Sequence, residues 1–101
     1  MKSCCEKYLI EQFGDPDIVG EIYAEYASSM KTKMGELEAA FAGADWAKVD
    51  GIAHAIKGNA LAAGDNDTAE TGIKLRHAAK LADADGAKKL IEDLHGLVAQ
   101  L

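Results

Sequence analysis

The stretch from Asp45 to Gly64, D-W-A-K-V-D-G-I-A-H-A-I-K-G-N-A-L-A-A-G, decides how the rest of the chain is read. At about 100° per residue, Trp46, Val49, Ala53, Ile56, Ala60 and Ala63 fall on one stripe with Ile52 at its edge, the pattern of a helix with one buried side. His54 points well away from the centre of that stripe, which predicts an imidazole standing in solvent. Gly51 and Gly58 lie about one turn before and one turn after it, and Ala47, Ala55, Leu61 and Ala62 cover the rest of a bare, mildly apolar face. Glycine in a helix interior costs roughly 1 kcal/mol relative to alanine. Two glycines beside one exposed histidine predict a surface that another backbone approaches closely.

Lys57 sits three residues after His54 on the neighbouring strip of the same helix, within reach of whatever the ring carries. Neutral imidazole is a competent nucleophile near neutral pH. A phosphoryl group bonded to it brings negative charge and acceptor oxygens that a lysine pairs. The arrangement reads as a phosphorylatable histidine with its counter-charge.

Working outward, Asp15 caps a long helix with Pro16 at its first position. From there to about Ala42 no strong breaker intervenes, and Val19, Ile22, Tyr26, Met30, Met34, Leu37 and Phe41 recur at spacings of three and four. That is an amphipathic helix about 40 Å long, its Met and Tyr stripe a core face. Gly43 closes it and Asp45 caps the His54 helix, which stops at Gly64. Upstream, Ser3 to Phe13 forms a short helix with Ser3 as N-cap, Glu6 as its capping-box partner, and Cys5, Leu9 and Phe13 on one face. Downstream, Asp67 with Glu70 offers another capping box, starting a helix to about Ala82 whose Thr68, Gly72, Leu75, Ala79 and Ala82 make a narrow stripe of mostly small residues. Asp83 to Gly86 is a turn, after which Ala87, Leu90, Ile91, Leu94, Leu97, Val98 and Leu101 form the apolar face of a last helix. Short connections make consecutive helices antiparallel neighbours. The expected fold is all-α: an up-down antiparallel four-helix bundle, residues 1–101 as a single domain, with an additional short N-terminal helix covering one end.

Composition narrows the function. A chain of 101 residues supports one core. A net charge of −6 argues against nucleic acid as a partner, because phosphate backbones demand basic surface. No apolar run approaches a membrane span and the N-terminus lacks a signal-peptide core, which predicts no membrane association and a cytoplasmic location. Cys4 and Cys5 are adjacent, which disfavours a bridge between them. No further cysteines complete a zinc set, so they read as small apolar residues at the start of a helix. His77 and His54 across the bundle would suggest a metal or haem pair only if His54 faced the core, and it does not; no metal is expected. His95, off the main apolar stripe, reads as a surface histidine.

The run Trp46, Val49, Ile52, Ala53, His54, Ile56, Lys57, Gly58, Ala60 and Gly64 resembles the signature of histidine-containing phosphotransfer (HPt) domains, in which alanine usually precedes the histidine, Lys-Gly follows it at the third and fourth positions, and a glycine falls ten residues on. Asn59 departs from the Ser or Ala more frequent there, at no cost in size. The resemblance spans nearly the whole chain and implies the same bundle. It also implies reversible transfer: His54 Nε2 accepts a phosphoryl group from a receiver-domain aspartate and passes it to another receiver, the Mg²⁺ belonging to the receiver. Response-regulator receivers and sensor or hybrid histidine kinases are the implied partners. Gly51, Gly58, Leu61 and Ala62 would form the docking surface.

Pairing the third and fourth helices through Gly64 and Gly72 puts Arg76 level with His54, with Lys80 as a further candidate. By the resemblance, Arg76 is the second phosphoryl-stabilising residue after Lys57. Asp50, one turn before His54, is either a hydrogen-bond acceptor for the ring or an ordinary exposed charge. The chain has no nucleotide-binding glycine loop and no general-base pair, so it is expected to bind no cofactor, to need no ATP and to be a relay substrate, not an enzyme. The competing reading is a non-catalytic helical bundle that binds receiver or kinase domains without transfer. The initial Met1 and the full set of helices favour a free-standing protein over one cut from a hybrid kinase.

Overall fold

Asp15 accepts a hydrogen bond from the amide of Asp17 at 2.9 Å, Pro16 follows it, and the chain then runs as one helix for 27 residues. At 1.5 Å per residue that helix is about 40 Å long, and the molecule's long axis is 42 Å. A computed structural model describes residues 1–101 as five α-helices with no strand: α1 Ser3–Phe13, α2 Pro16–Ala42, α3 Trp46–Ala62, α4 Asn66–Lys80 and α5 Ala84–Ala99. None is long and apolar enough to cross a membrane.

The last three connections use one corner. Ala44, Gly64 and Ala82 each take left-handed backbone (φ 51°, 74° and 49°). The aspartate that follows each, Asp45, Asp65 or Asp83, donates its amide to the carbonyl five residues back, on Ala40, Ala60 or Ala78. This closes the earlier helix as a Schellman motif. The same aspartate is the N-cap of the next helix. One residue therefore ends one helix and starts another, which leaves no slack and reverses the chain.

α2 packs along α3 and α5, α3 along α4, and α4 along α5, so these four close a ring of contacts, while α1 lies on α2. Between them Met30, Leu37, Ile56, Leu75 and Leu94 are fully buried, each contributing about 1.5–3 kcal/mol relative to exposure. The α3–α4 contact is the closest. A Cβ on Gly72 would stand 3.3 Å from the Ala53 carbonyl oxygen and 3.4 Å from the Lys57 amide nitrogen, so any larger residue would press the two backbones apart by a few tenths of an ångström. The small-residue stripe on α4 thus fixes how near α4 comes to His54.

Several boundaries differ from the sequence reading, each for a local reason. α1 begins at Ser3 with Lys2 as N-cap and no side-chain cap, because Lys2 is anchored elsewhere: its amide donates to the Tyr23 hydroxyl at 3.1 Å and its ammonium to Asp65. Phe13 is half exposed and does not join Cys5 and Leu9, which pack on Val19 and Tyr23; it lies at the end of α1, beside the reversal at Gly14, where α2 has not yet begun. α4 starts at Asn66 and not after Asp67, because Asp65 is its cap residue, and it stops at Lys80, so Ala82 is an exposed corner residue and not part of the buried stripe. Asp83 to Gly86 is no free turn. Asp83 accepts from the Gly86 amide at 3.0 Å and α5 begins at Ala84.

Candidate functional site

His54 lies in the middle of α3 and is exposed, while its neighbours on the inner stripe, Val49, Ala53, Ile56 and Ala60, are completely buried. The ring is held from one side. Arg76 Nη1, on α4, stands 2.9 Å from His54 Nδ1. A guanidinium has only donors, so it donates and Nδ1 accepts. Arg76 Nε in turn donates to Asp50 Oδ1 at 2.9 Å. Both partners of this ion pair have side chains 28% exposed, a depth at which the charges are only partly screened. The chain Asp50–Arg76–His54 leaves Nε2 as the ring nitrogen on the side away from Arg76.

Lys57, the third residue after His54, is half-buried on the same flank of α3. Gly51, Gly58, Leu61 and Ala62 are all exposed, Leu61 at 47%. A Cβ on Gly51 or Gly58 would meet nothing within 4 Å. Packing within this chain does not require either glycine, in contrast to Gly72. Gly20, Gly35 and Gly96 are equally open; what sets Gly51 and Gly58 apart is that they flank the exposed ring. Gly64 is required by the fold twice over: its φ is +74°, and a Cβ there would run into the Cβ and ring of Tyr8.

A second polar cluster lies beyond the C-terminal end of α3, and the sequence reading missed it. Asp65 is completely buried and accepts from Lys2 Nζ at 2.6 Å, Tyr26 Oη at 2.7 Å and Thr68 Oγ1 at 2.8 Å. Burial alone would raise its carboxyl pKa; the three hydrogen bonds outweigh that and hold it below the ordinary carboxylate range. Burial, then the bond to Asp65, push the Tyr26 hydroxyl up. Burial and the nearby Asp65 charge push the Cys5 thiol up to about 12. Cys4, Cys5 and Asp65 offer ligand atoms within 4.8 Å of one another, so the fold supplies the cysteines with a third group that is distant in sequence. The Lys2 ammonium already sits on that carboxylate. One signal was present in the sequence: a tyrosine in a core stripe, such as Tyr26, needs a partner for its hydroxyl.

The fold brings Lys57, Arg76 and Asp50 to the His54 face. It leaves His77 exposed and outside the Asp50–Arg76–His54 hydrogen bonds, carries Lys80 a further turn along α4 past Arg76, and pairs the exposed His95 with Glu38 of α2. Asp50 meets neither expectation, since it binds Arg76 instead of the ring or open solvent.

Comparison with curated proteins and with solved structures finds no match. The family model described as Hpt domain matches residues 21–101. That span takes in α3, α4, α5 and all but the first turn and a half of α2, with His54, Lys57 and Arg76 inside it, and the chain belongs to the Hpt domain family.

Proposed function

We propose that His54 is the phosphoryl-carrying residue of this Hpt domain, taking the group from a receiver-domain aspartate and yielding it to another receiver. Membership of the family brings histidine phosphotransfer within two-component phosphorelay, with receiver domains and histidine kinases as the interacting proteins. The observation that carries the assignment to His54 is a solvent-exposed imidazole inside the matched span, held at Nδ1 so that Nε2 lies on the side away from Arg76.

In the transfer, the ring proton first shifts from Nε2 to Nδ1, and the freed Nε2 lone pair attacks the phosphorus of the aspartyl phosphate. The N–P bond forms, the P–O bond to the receiver's carboxyl breaks, and the carboxylate departs with the bonding electrons. The ring's remaining proton goes to solvent, which leaves a neutral phosphoramidate ring. Lys57 supplies positive charge to the phosphoryl oxygens, Arg76 donates to the bare Nδ1 of the phosphorylated ring once the transfer is complete, and Gly51, Gly58, Leu61 and Ala62 form the low surface on which the receiver settles. The closed ring of helix contacts and the opposite courses of α3 and α4 support an up-down four-helix bundle with α1 as an addition. On this reading the protein is a carrier and not an enzyme, and it works in the cytoplasm with its partners.

The test is incubation with a phosphorylated receiver and Mg²⁺. The chain should acquire acid-labile, base-stable phosphate, and His54→Gln should abolish it while preserving the helical circular-dichroism spectrum. A wild type that folds, binds receivers and stays unlabelled would instead make the protein an interaction module.

A further inference from the structure

We infer that Asp50 and Arg76 are positioning residues that hold the His54 ring with Nδ1 bare and Nε2 substituted, and that they thereby prolong the life of the phosphorylated ring. The second half of this rests on the carrier reading above; the first does not.

The argument is one of donors and acceptors. Arg76 has no acceptor to offer, and its Nη1 lies 2.9 Å from Nδ1. A proton on Nδ1 would face a cation that cannot accept it. In the neutral ring the proton therefore resides on Nε2. Arg76 is not free to drift from this position: its Nε donates to Asp50 Oδ1 at 2.9 Å, Asp50 stands one turn before His54 on the same helix, and Gly72 fixes the approach of α4 to α3. Asp50 and Lys57 on α3 and Arg76 on α4 are the charged groups around the ring. On the other flank of α3, α2 lines a groove with Asn59, Ala62 and Ala63, and Glu25 is the charged residue it contributes there.

This arrangement treats the two halves of the transfer differently. For Nε2 to attack, its proton must first move to Nδ1, which gives up the bond from Arg76. Once the N–P bond has formed, the Nδ1 proton leaves to solvent and Nδ1 again accepts from Arg76. The phosphorylated ring is thus the state the pair already fits. Hydrolysis by water breaks the N–P bond fastest when Nδ1 is protonated, because the departing ring is then neutral imidazole. Arg76 competes with that proton, so the phosphoryl group is retained.

The full chain labelled with phosphoramidate, a small phosphoryl donor, tests this without any receiver. Followed by ³¹P NMR between about pH 5 and 8, Arg76→Met should shorten the half-life of the label about three- to tenfold, the effect of one partly exposed charge-assisted hydrogen bond, and move the pH profile of hydrolysis upward. Asp50→Ala should do so more weakly, and Asp50→Asn, which keeps an acceptor for Arg76, should restore most of the lifetime. Lys57→Met should change the rate without moving the profile. In the unlabelled protein, ¹⁵N NMR should show the Nε2–H tautomer in the wild type and a rising Nδ1–H fraction in Arg76→Met. A wild-type ring that is mainly Nδ1–H overturns the inference, as does an unmoved profile in Arg76→Met or a ring that phosphoramidate cannot label. Failure of receivers to label a ring that meets these expectations would sink the carrier reading alone.

Discussion

Two carboxylates, Asp50 within α3 and Asp65 three residues past its end, organise opposite kinds of polar cluster. Asp50 pairs with Arg76 where each side chain is 28% exposed, and the pair serves a ring that faces solvent. Asp65 has no exposure and gathers an ammonium and two hydroxyls from α2, α4 and the N-terminal segment. Both are charge-assisted networks of similar bond length, and depth separates their consequences. In the wet cluster the partners are replaceable by water, so it contributes little to stability and leaves the His54 ring reachable from solvent. In the dry cluster water reaches only the Lys2 end and the carboxylate itself has no exposure, so it ties the N-terminal segment and the α3–α4 corner to α2.

The largest effect that distinguishes them is therefore on folding. Asp65→Ala leaves the Lys2 ammonium without its partner and the Tyr26 and Thr68 hydroxyls without an acceptor, and should cost about 3–5 kcal/mol, read as a large fall in the urea midpoint. Asp50→Ala, measured in the same way, should cost under about 1 kcal/mol. Equal losses would show that depth does not separate the clusters. Gly64→Ala comes next. The left-handed backbone alone costs an alanine about 1–2 kcal/mol, and the collision is with Tyr8 Cβ, which cannot swing aside, so α1 must shift as well. Its urea midpoint should fall between those of the two aspartate variants.

The wet cluster was more legible in the sequence than the dry one, and the reason is distance along the chain. His54, Lys57, Gly51 and Gly58 share one helix, where the period alone assigns faces. Arg76 followed from one antiparallel pairing between consecutive helices. Asp50's role did not, since a charge one turn from a histidine looks the same whether or not an arginine 26 residues later reaches it. Asp65 carries no such local signal because its partners lie 63 and 39 residues upstream, while the pattern Asp67-x-x-Glu70 offers a plausible cap of its own. The three corners behave likewise. Asp45 and Asp83 cap the next helix with their side chains, at 3.2 Å from the Lys48 amide and 3.0 Å from the Gly86 amide, and Asp45 was read as a cap. At Asp65 the side chain is drawn inward, although the backbone corner is the same.

Titration of the dry cluster gives a smaller and reversible version of the same contrast. Burial opposes ionisation of Asp65 and its three donors more than offset it, so its folded pKa lies below the ordinary 3.8. That contribution is present above about pH 4 and is lost as pH falls through the folded value. At the other end, burial holds the Cys5 thiol near 12 against an ordinary 9.0; the stability this gives is present below 9 and is lost as pH rises towards 12. Thermal melts should therefore be flat across neutral pH, with a fall below about pH 4 and another above about pH 9. Asp65→Asn should flatten the acid limb relative to the wild type, while Asp50→Asn should leave it in place. An unchanged acid limb in Asp65→Asn would assign acid unfolding to other carboxylates.

The smallest change tests the wet face itself. A Cβ on Gly58 meets nothing in this chain, so Gly58→Ala removes a helix-interior glycine without a clash and should stabilise the fold by about 0.5–1 kcal/mol. Gly35→Ala, exposed and equally open on α2, should give the same gain. The two part company in transfer. If receivers settle beside His54, the new methyl at position 58 stands between the surfaces and slows phosphoryl uptake severalfold, while the methyl at position 35 has no effect. A protein that becomes more stable and less active with Gly58→Ala, and only more stable with Gly35→Ala, would show that the glycine is kept for a partner and not for this fold. Equal rates in both variants would move the docking surface off the Gly58 side of α3.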